Sequence, residues 1–277
     1  MKKLLSVLLV SLLLIGCSED RVLLDELTNK GSEESELMYY ESGLFNGIGY
    51  DVFSDGQLRI ERRYKNGMYE GLQKSWYENG QLSIEVNWKD GKRDGLTKYH
   101  YENGQLKKEY NYKDGKRDGF SQSWYKNGQL EYEENYKNGM YDGLYKGWYE
   151  NGQLEYESNY KNNKENGLQK IWYKNGQLKY EVNRKDGKRD GFSQNWYENG
   201  QLRYEFYWKD GKENGLCKSW YENGQLKFET NWKDDKRDGF SRNWYENGQL
   251  GYEGNWKDGK EYGLSKTWLE NGQQSLW

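Results

Sequence analysis

Proline is missing altogether from this 277-residue chain, so no strand position has lost its backbone donor to a β-ladder. Cysteine occurs only at Cys17 and Cys217; once Cys17 is modified no internal disulfide can form, and nothing points to a redox role. Histidine occurs once, at His100, which excludes a histidine metal cluster. The opening apolar run, Leu4–Ile15, is too short to cross a bilayer comfortably. Aliphatic residues are sparse: the apolar surface is mainly Tyr and Trp, in a chain that is 31% charged. That excludes a large globular core. It suits a thin sheet in which each unit is stabilised by its neighbours.

Lys2 and Lys3 precede the apolar run, and Leu14-Ile15-Gly16-Cys17 closes it. This ending resembles the lipobox of bacterial lipoproteins. The resemblance implies a signal peptide over residues 1–16, cleavage before Cys17, a diacylglyceryl thioether on that residue and acylation of its new amine. An uncleaved anchor or an ordinary secretory signal is the alternative. Each buried methylene contributes roughly 0.8 kcal/mol, so several acyl chains hold a protein firmly on a membrane. Ser18 in place of Asp implies the outer membrane in a bacterium with two membranes. The expected location is therefore the bacterial cell envelope. Residues 17–36, acidic with one apolar patch at Val22–Leu27, are expected to be the lipidated cysteine and a flexible tether.

Without its signal the chain carries 40 basic and 45 acidic side chains. An acidic balance argues against nucleic acid, which is bound largely by Lys and Arg displacing counterions.

From residue 37 to 277 the chain is an array. Asp55-Gly-Gln-Leu is followed by Asn-Gly-Gln-Leu at Asn79, Asn103, Asn127, Asn151, Asn175, Asn199, Asn223 and Asn247, with a spacing of 24 at every step. One unit reads GLQKSWYENGQLSIEVNWKDGKRD, from Gly71 to Asp94. Asn-Gly between alternating runs is a hairpin signal, because both residues tolerate positive φ. Leu82, Ile84, Val86 and Trp88 alternate with Ser83, Glu85 and Asn87, and Leu72, Lys74 and Trp76 with Gln73, Ser75 and Tyr77. The expected fold is all-β: an elongated single-layer antiparallel meander of about ten 24-residue β-hairpins. A three-residue Glu78-Asn79-Gly80 loop pairs Trp76 with Leu82 and gathers Leu72, Trp76, Leu82 and Trp88 on one face. It also leaves Tyr77 beside the Glu85 and Asn87 columns. A two-residue loop would instead set Tyr77 opposite Leu82.

The unit, with its W-Y-x-N-G-Q-L core and trailing Y-K-D-G-K, resembles the MORN-repeat variant of many bacterial proteins, YwqK-type antitoxins among them. The resemblance covers residues 37–277. It implies side-by-side hairpins that bind proteins or membranes, no cofactor, and no catalytic residues to carry over. The 24-residue step and the fuller WYENGQL depart from the shorter, more glycine-rich unit of the classical repeat.

An enzyme needs a place where the repeat is broken by reactive residues. His100 occupies the Trp76 column and has no nucleophile beside it; Cys217 occupies the column of Gln73, Thr97 and Ser121. Both read as repeat variants. The KDGKRDG loop starts like a calcium loop, but Lys92 and Tyr101 stand where oxygen ligands belong, so no metal is expected. The glutamate column from Glu85 to Glu253 repeats one environment, whereas acid–base pairs need two contrasting ones. It reads as a charged, soluble face.

One column suggests binding: Tyr77, Tyr101, Tyr125, Tyr149, Tyr173, Tyr197, Tyr221 and Tyr245, either packed into the sheet or exposed as a line of aromatics about 10 Å apart. The leading expectation is a non-enzymatic, membrane-anchored scaffold for an unknown protein partner or for self-association. An antitoxin or immunity protein that neutralises a toxin is one alternative. A module that binds glycan or cell wall is another.

Overall fold

The computed structural model describes residues 19–30 and 37–275. The expected signal peptide and Cys17 lie outside the described residues. From Gly47 to Thr267 the strands follow one another in a single ladder, each antiparallel to the next. The strands of one unit, Gly71–Trp76 and Leu82–Lys89, recur with the 24-residue period, and no α-helix occurs among the described residues.

Two turns alternate along the two edges of the sheet. At the first, the Tyr77 N–H donates to the Gln81 carbonyl at 2.8 Å and the Gly80 N–H to the Tyr77 carbonyl at 2.9 Å. This is the three-residue Glu78-Asn79-Gly80 loop, with Gly80 left-handed at φ 79° and Trp76 paired to Leu82 as expected. At the second, Asp90 and Gly91 have φ 48° and 76° and join Lys89 to Lys92 in a two-residue loop. Aspartate tolerates this conformation because its short polar side chain bonds locally.

The face assignment is corrected. The register slips between Ser75 and Trp76, so that Ser75 pairs with Ile84 while Trp76 pairs with Leu82. One residue, Ser83, is thereby bulged out, and the alternation changes phase there. Leu72 consequently pairs with Asn87, and it faces away from Trp88, which pairs with Gly71. One face carries the columns of Gln73, Ser75, Ile84, Val86 and Trp88. The other carries those of Leu72, Lys74, Glu85 and Asn87.

Burial separates the two faces. Val86, Thr97, Ser121, Ser158, Val182, Ser193, Cys217, Ser219, Thr230 and Ser241 are buried, and all belong to the first face. Small residues are buried in a single-layer sheet because large neighbours lean over them. Tyr204, Phe206 and Trp208 lie ring beside ring along one strand, at 5.8 and 6.1 Å. Tyr132 lies against Gly147, within 3.2 Å of where a Cβ would stand. Guanidinium groups complete the cover: Arg93 lies over Trp88 and Tyr112, Arg189 over Trp208, and Arg237 over Trp232 and Trp256. Cross-strand aromatic pairs contribute about 0.2–1 kcal/mol each, so repetition supplies what no single unit has.

The segment read as a tether also differs. In its described part, Arg21–Leu23 adds a parallel strand beside Gly47–Val52. Val22 and Leu27 are buried against Phe45 and Tyr64, with Leu24, Met38 and Tyr69 around them. Arg21 pairs with Glu61 at 2.9 Å, and Arg63 with Glu19. The short apolar patch is thus a plug for the end of the sheet, where an aromatic carpet would otherwise stop at water.

Candidate interaction surface

The loops of successive units are fastened to each other. Each column tyrosine donates its hydroxyl to a backbone carbonyl of the following unit: Tyr77 to His100, Tyr101 to Trp124, Tyr125 to Trp148, and Tyr149 to Trp172, at 2.7–2.8 Å. Tyr173, Tyr197, Tyr221 and Tyr245 continue the series to Trp196, Trp220, Trp244 and Trp268 at 2.8–2.9 Å. Asn79 does similar work: its Oδ1 accepts from the Gln81 N–H, and its Nδ2 donates to the Glu102 carbonyl at 2.8 Å. The column therefore spends its hydroxyls within the sheet and offers only ring faces. It borders the aromatic face and not the Glu85 and Asn87 columns, since the Arg203 guanidinium lies over both Tyr197 and Tyr204.

On the opposite edge Asp94 accepts from the Asp114 N–H at 3.1 Å, Asp118 from Asn138 at 2.9 Å, and Asp190 from Asp210 at 3.1 Å. These acids cap the next unit's turn instead of converging on a cation. Among the described residues no group of three His, Cys, Asp or Glu side chains stands where it could hold a metal ion.

The reactive candidates are quiet. Burial, followed by Glu213 and Glu205, pushes the Cys217 thiol up to about 12, which keeps it protonated and unreactive. His100 stands in the tryptophan column, and its backbone carbonyl serves the staple from Tyr77. The glutamate column is matched across strands by lysines: Lys98 is opposite Glu85 on one side and Glu109 on the other. Lys146 reaches Glu157 at 3.3 Å, and Gln122 and Gln194 donate to Glu133 and Glu205 at 2.9 and 2.8 Å. Every carboxylate there has a similar neighbour, so no acid–base pair is set apart.

What remains open is apolar. Alongside the Lys/Glu ladder runs the column of Leu72, Leu96, Phe120, Leu144, Leu168, Phe192, Leu216, Phe240 and Leu264. Leu72, Phe120, Leu168 and Phe192 are 39%, 42%, 38% and 61% exposed, and Phe192 meets Tyr207 edge-on, with ring centroids 5.2 Å apart. The adjacent asparagines are occupied, Asn87 donating to the Leu96 carbonyl at 2.7 Å and Asn111 to that of Phe120 at 2.6 Å. This stripe is not visible in the sequence, because the bulge at Ser83 turns it away from the aromatic face. A usable signal is the exchange of Leu for Phe after an invariant glycine, which a tightly packed core position tolerates poorly.

The column that carries Arg93, Arg117, Arg189 and Arg237 on the covered face varies between units, with Tyr141, Glu165, Glu213 and Glu261 in the others. Where Arg93, Arg189 and Arg237 lie over Trp in their units, Glu165 stands beside Arg184, joined at 3.2 Å. Gln169 donates to Glu165 at 2.8 Å and accepts from Arg184 at 3.0 Å, and Tyr156 donates to Glu165 at 2.6 Å. The network is self-satisfied and presents no free acid or base.

A family described as MORN repeat variant matches residues 69–90, 93–114, 117–138, 141–162, 165–186, 189–210, 213–234 and 237–258. No curated protein matches the chain. Among solved structures, a chain of "Crystal Structure of TcdB2-TccC3-Cdc42" aligns over 87% of this chain at 12% identity, with a TM-score of 0.21. This chain spans 15% of that one, and a likeness of that order carries no argument about function.

Proposed function

The chain belongs to the MORN repeat variant family, and from that premise we propose that it is a membrane-tethered scaffold that binds a protein partner through the Leu/Phe stripe of its open face. The repeat type is a non-catalytic one. The observation that carries the reading is the pairing of exposed Phe120 and Phe192 with a charge ladder that neutralises itself. Contiguous exposed apolar surface, rimmed by polar groups, marks interaction sites on soluble proteins. Strands about 4.8 Å apart set the stripe's side chains roughly 10 Å from unit to unit, a spacing that suits a long partner surface. Cys17 is the proposed anchor and the cell envelope the proposed location. Neither the antitoxin nor the glycan reading is favoured by a particular feature of the described residues.

The test is a comparison of two full-length chains, wild type and Phe120→Asp/Phe192→Asp, as baits in solubilised host membranes. Circular dichroism should be unchanged, because both side chains are largely outside the packed face. The proteins held by wild type should be missing from the variant. A second copy of the chain counts as a partner and is read by sedimentation. Equal capture by both baits overturns the proposal.

A further inference from the structure

A small device recurs beside the tyrosine column. Lys107, Lys179, Arg203 and Lys227, each six residues after a column tyrosine, hold a cation over the rings of Tyr101, Tyr173, Tyr197 and Tyr221, between 5.2 and 5.4 Å from the centroid. In that geometry the ring quadrupole attracts the charge, and the aliphatic stem covers the ring.

After Tyr77, Tyr125, Tyr149 and Tyr245 the position holds Ser83, Glu131, Glu155 and Gly251 instead, and of these only the glycine has no side chain to set beside the ring. Gly251 stands six residues after Tyr245, where the preceding unit has Lys227. Its backbone is not among the left-handed glycines, so the position does not require glycine for its φ. What the missing side chain leaves is a cleft of about 320 Å³, walled by Tyr221, Phe228, Trp244, Tyr245 and Tyr252. Lys227 sits at its border, over the Tyr221 ring and not that of Tyr245. Burial, and after it the charges of Glu246 and Glu270, raise the Tyr221 hydroxyl above its ordinary range, so the potential at this wall is negative. An aromatic recess in a negative field is the environment that retains a partly desolvated cation.

We propose that this cleft binds a cationic side chain, lysine or arginine, supplied by a partner protein, which takes in trans the place that Lys227 and its equivalents fill in cis. The site lies by the loop edge of the covered face, away from the Leu/Phe stripe, and stands independently of that surface. Its specificity comes from the walls: an alkyl stem lies along the aromatic rings and the charge meets ring faces. A neutral chain of equal length gains only the first of these contacts.

The experiment is a titration of the ¹⁵N-labelled full chain in detergent micelles, following the Trp244 indole N–H resonance, which is assigned by its loss in Trp244→Phe. The probes are arginine amide and tetramethylammonium, with norleucine amide as the neutral control, both amino-acid amides Nα-acetylated to remove the α-ammonium charge, and N-acetylglucosamine as the sugar control. Both cations should give saturable shifts, with norleucine amide about tenfold weaker, the equivalent of about 1.4 kcal/mol. Gly251→Lys should restore the device within the chain, weaken arginine amide by about tenfold and leave the melting temperature unchanged or higher. The built Cβ comes within 3.0 Å only of the Tyr245 ring edge, which can give way. Tyr245→Leu, which keeps the volume apolar but removes the ring, should weaken the cations similarly. Norleucine amide binding as tightly, a response to the sugar alone, unchanged binding in Gly251→Lys, or no saturable shift from either cation would each overturn the proposal.

Discussion

The hydroxyl of Tyr149 donates to the backbone carbonyl of Trp172, one unit further along, at 2.8 Å. The bond joins two loops that share no strand pairing of their own, and it repeats along the sheet. It gives the tyrosine of WYENGQL a role in construction, with its hydroxyl spent inside the sheet.

Tyr149→Phe should therefore cost stability. A half-buried hydrogen bond is worth roughly 1 kcal/mol net, so the denaturant midpoint should fall by that energy divided by the slope m, with m unchanged. Partner capture should persist, since the Leu/Phe stripe is untouched. Urea melts and the membrane bait assay together check this.

Two glycines with the same backbone should differ. Gly152 and Gly187 have φ 83° and 82°, so alanine is strained at both, by about 1 kcal/mol. At Gly152 a Cβ would also meet the Gln129 amide oxygen at 2.2 Å, whereas nothing lies within 4 Å at Gly187. Gly152→Ala should lower the melting temperature more than Gly187→Ala. Paired thermal melts measure the difference, and the flexible Gln129 side chain sets its upper bound.

The Glu165–Arg184 pair on the covered face is a compensated exchange. Arg189 lies over Trp208 at 4.6 Å, nineteen residues on, while Glu165 is joined to Arg184 at the same separation. Glu165→Arg alone sets two guanidiniums together, and Arg184→Trp alone leaves Glu165 without its cation. The double variant restores the Arg-over-Trp pair. A double-mutant cycle should give a favourable coupling of about 1–2 kcal/mol. Additive losses would contradict the exchange.

Alkali should unfold the sheet. Burial is the first cause raising Tyr110, Tyr132, Tyr145 and Tyr156 above the ordinary 10.0, with carboxylates or other tyrosines adding to it. A group raised in the folded state contributes stability that is complete below the unfolded value, about pH 10, and is lost as pH rises through the folded one. Above pH 10 the unfolded chain binds fewer protons than the folded one, so stability falls with pH. Tyrosinate absorbance and circular dichroism should change together in one steep transition. Ionisation well before unfolding would contradict the burial of these rings.

Much of the fold was legible because the signals are local and repeated. The unbroken 24-residue step gives the array, Asn-Gly and Asp-Gly give the turns, and alternation gives the strands. The three-residue loop and its Trp76–Leu82 pair also follow from the sequence. The faces did not, because one bulged residue at Ser83 reverses the phase between loop and strand, and no residue type there announces a bulge. That single shift placed Leu72 with Trp88 in the expectation and apart from it in the structure. Tyr77 misled for a related reason: a column of tyrosines looks the same whether its hydroxyls face water or a neighbouring carbonyl 23 residues on. The segment from Arg21 to Leu27 was read as a tether from its acidity, although Val22 and Leu27 suffice to plug an open end.

The most direct measurement is site-specific photo-crosslinking in the native host, with a photoreactive side chain placed in the full chain at position 168 or 192 on the open face, or at 204 on the covered one. The account predicts one partner adduct of the same size from both 168 and 192 and none from 204. Adducts from 204 alone, or none from either open-face position while the chain is folded and in place, would contradict it.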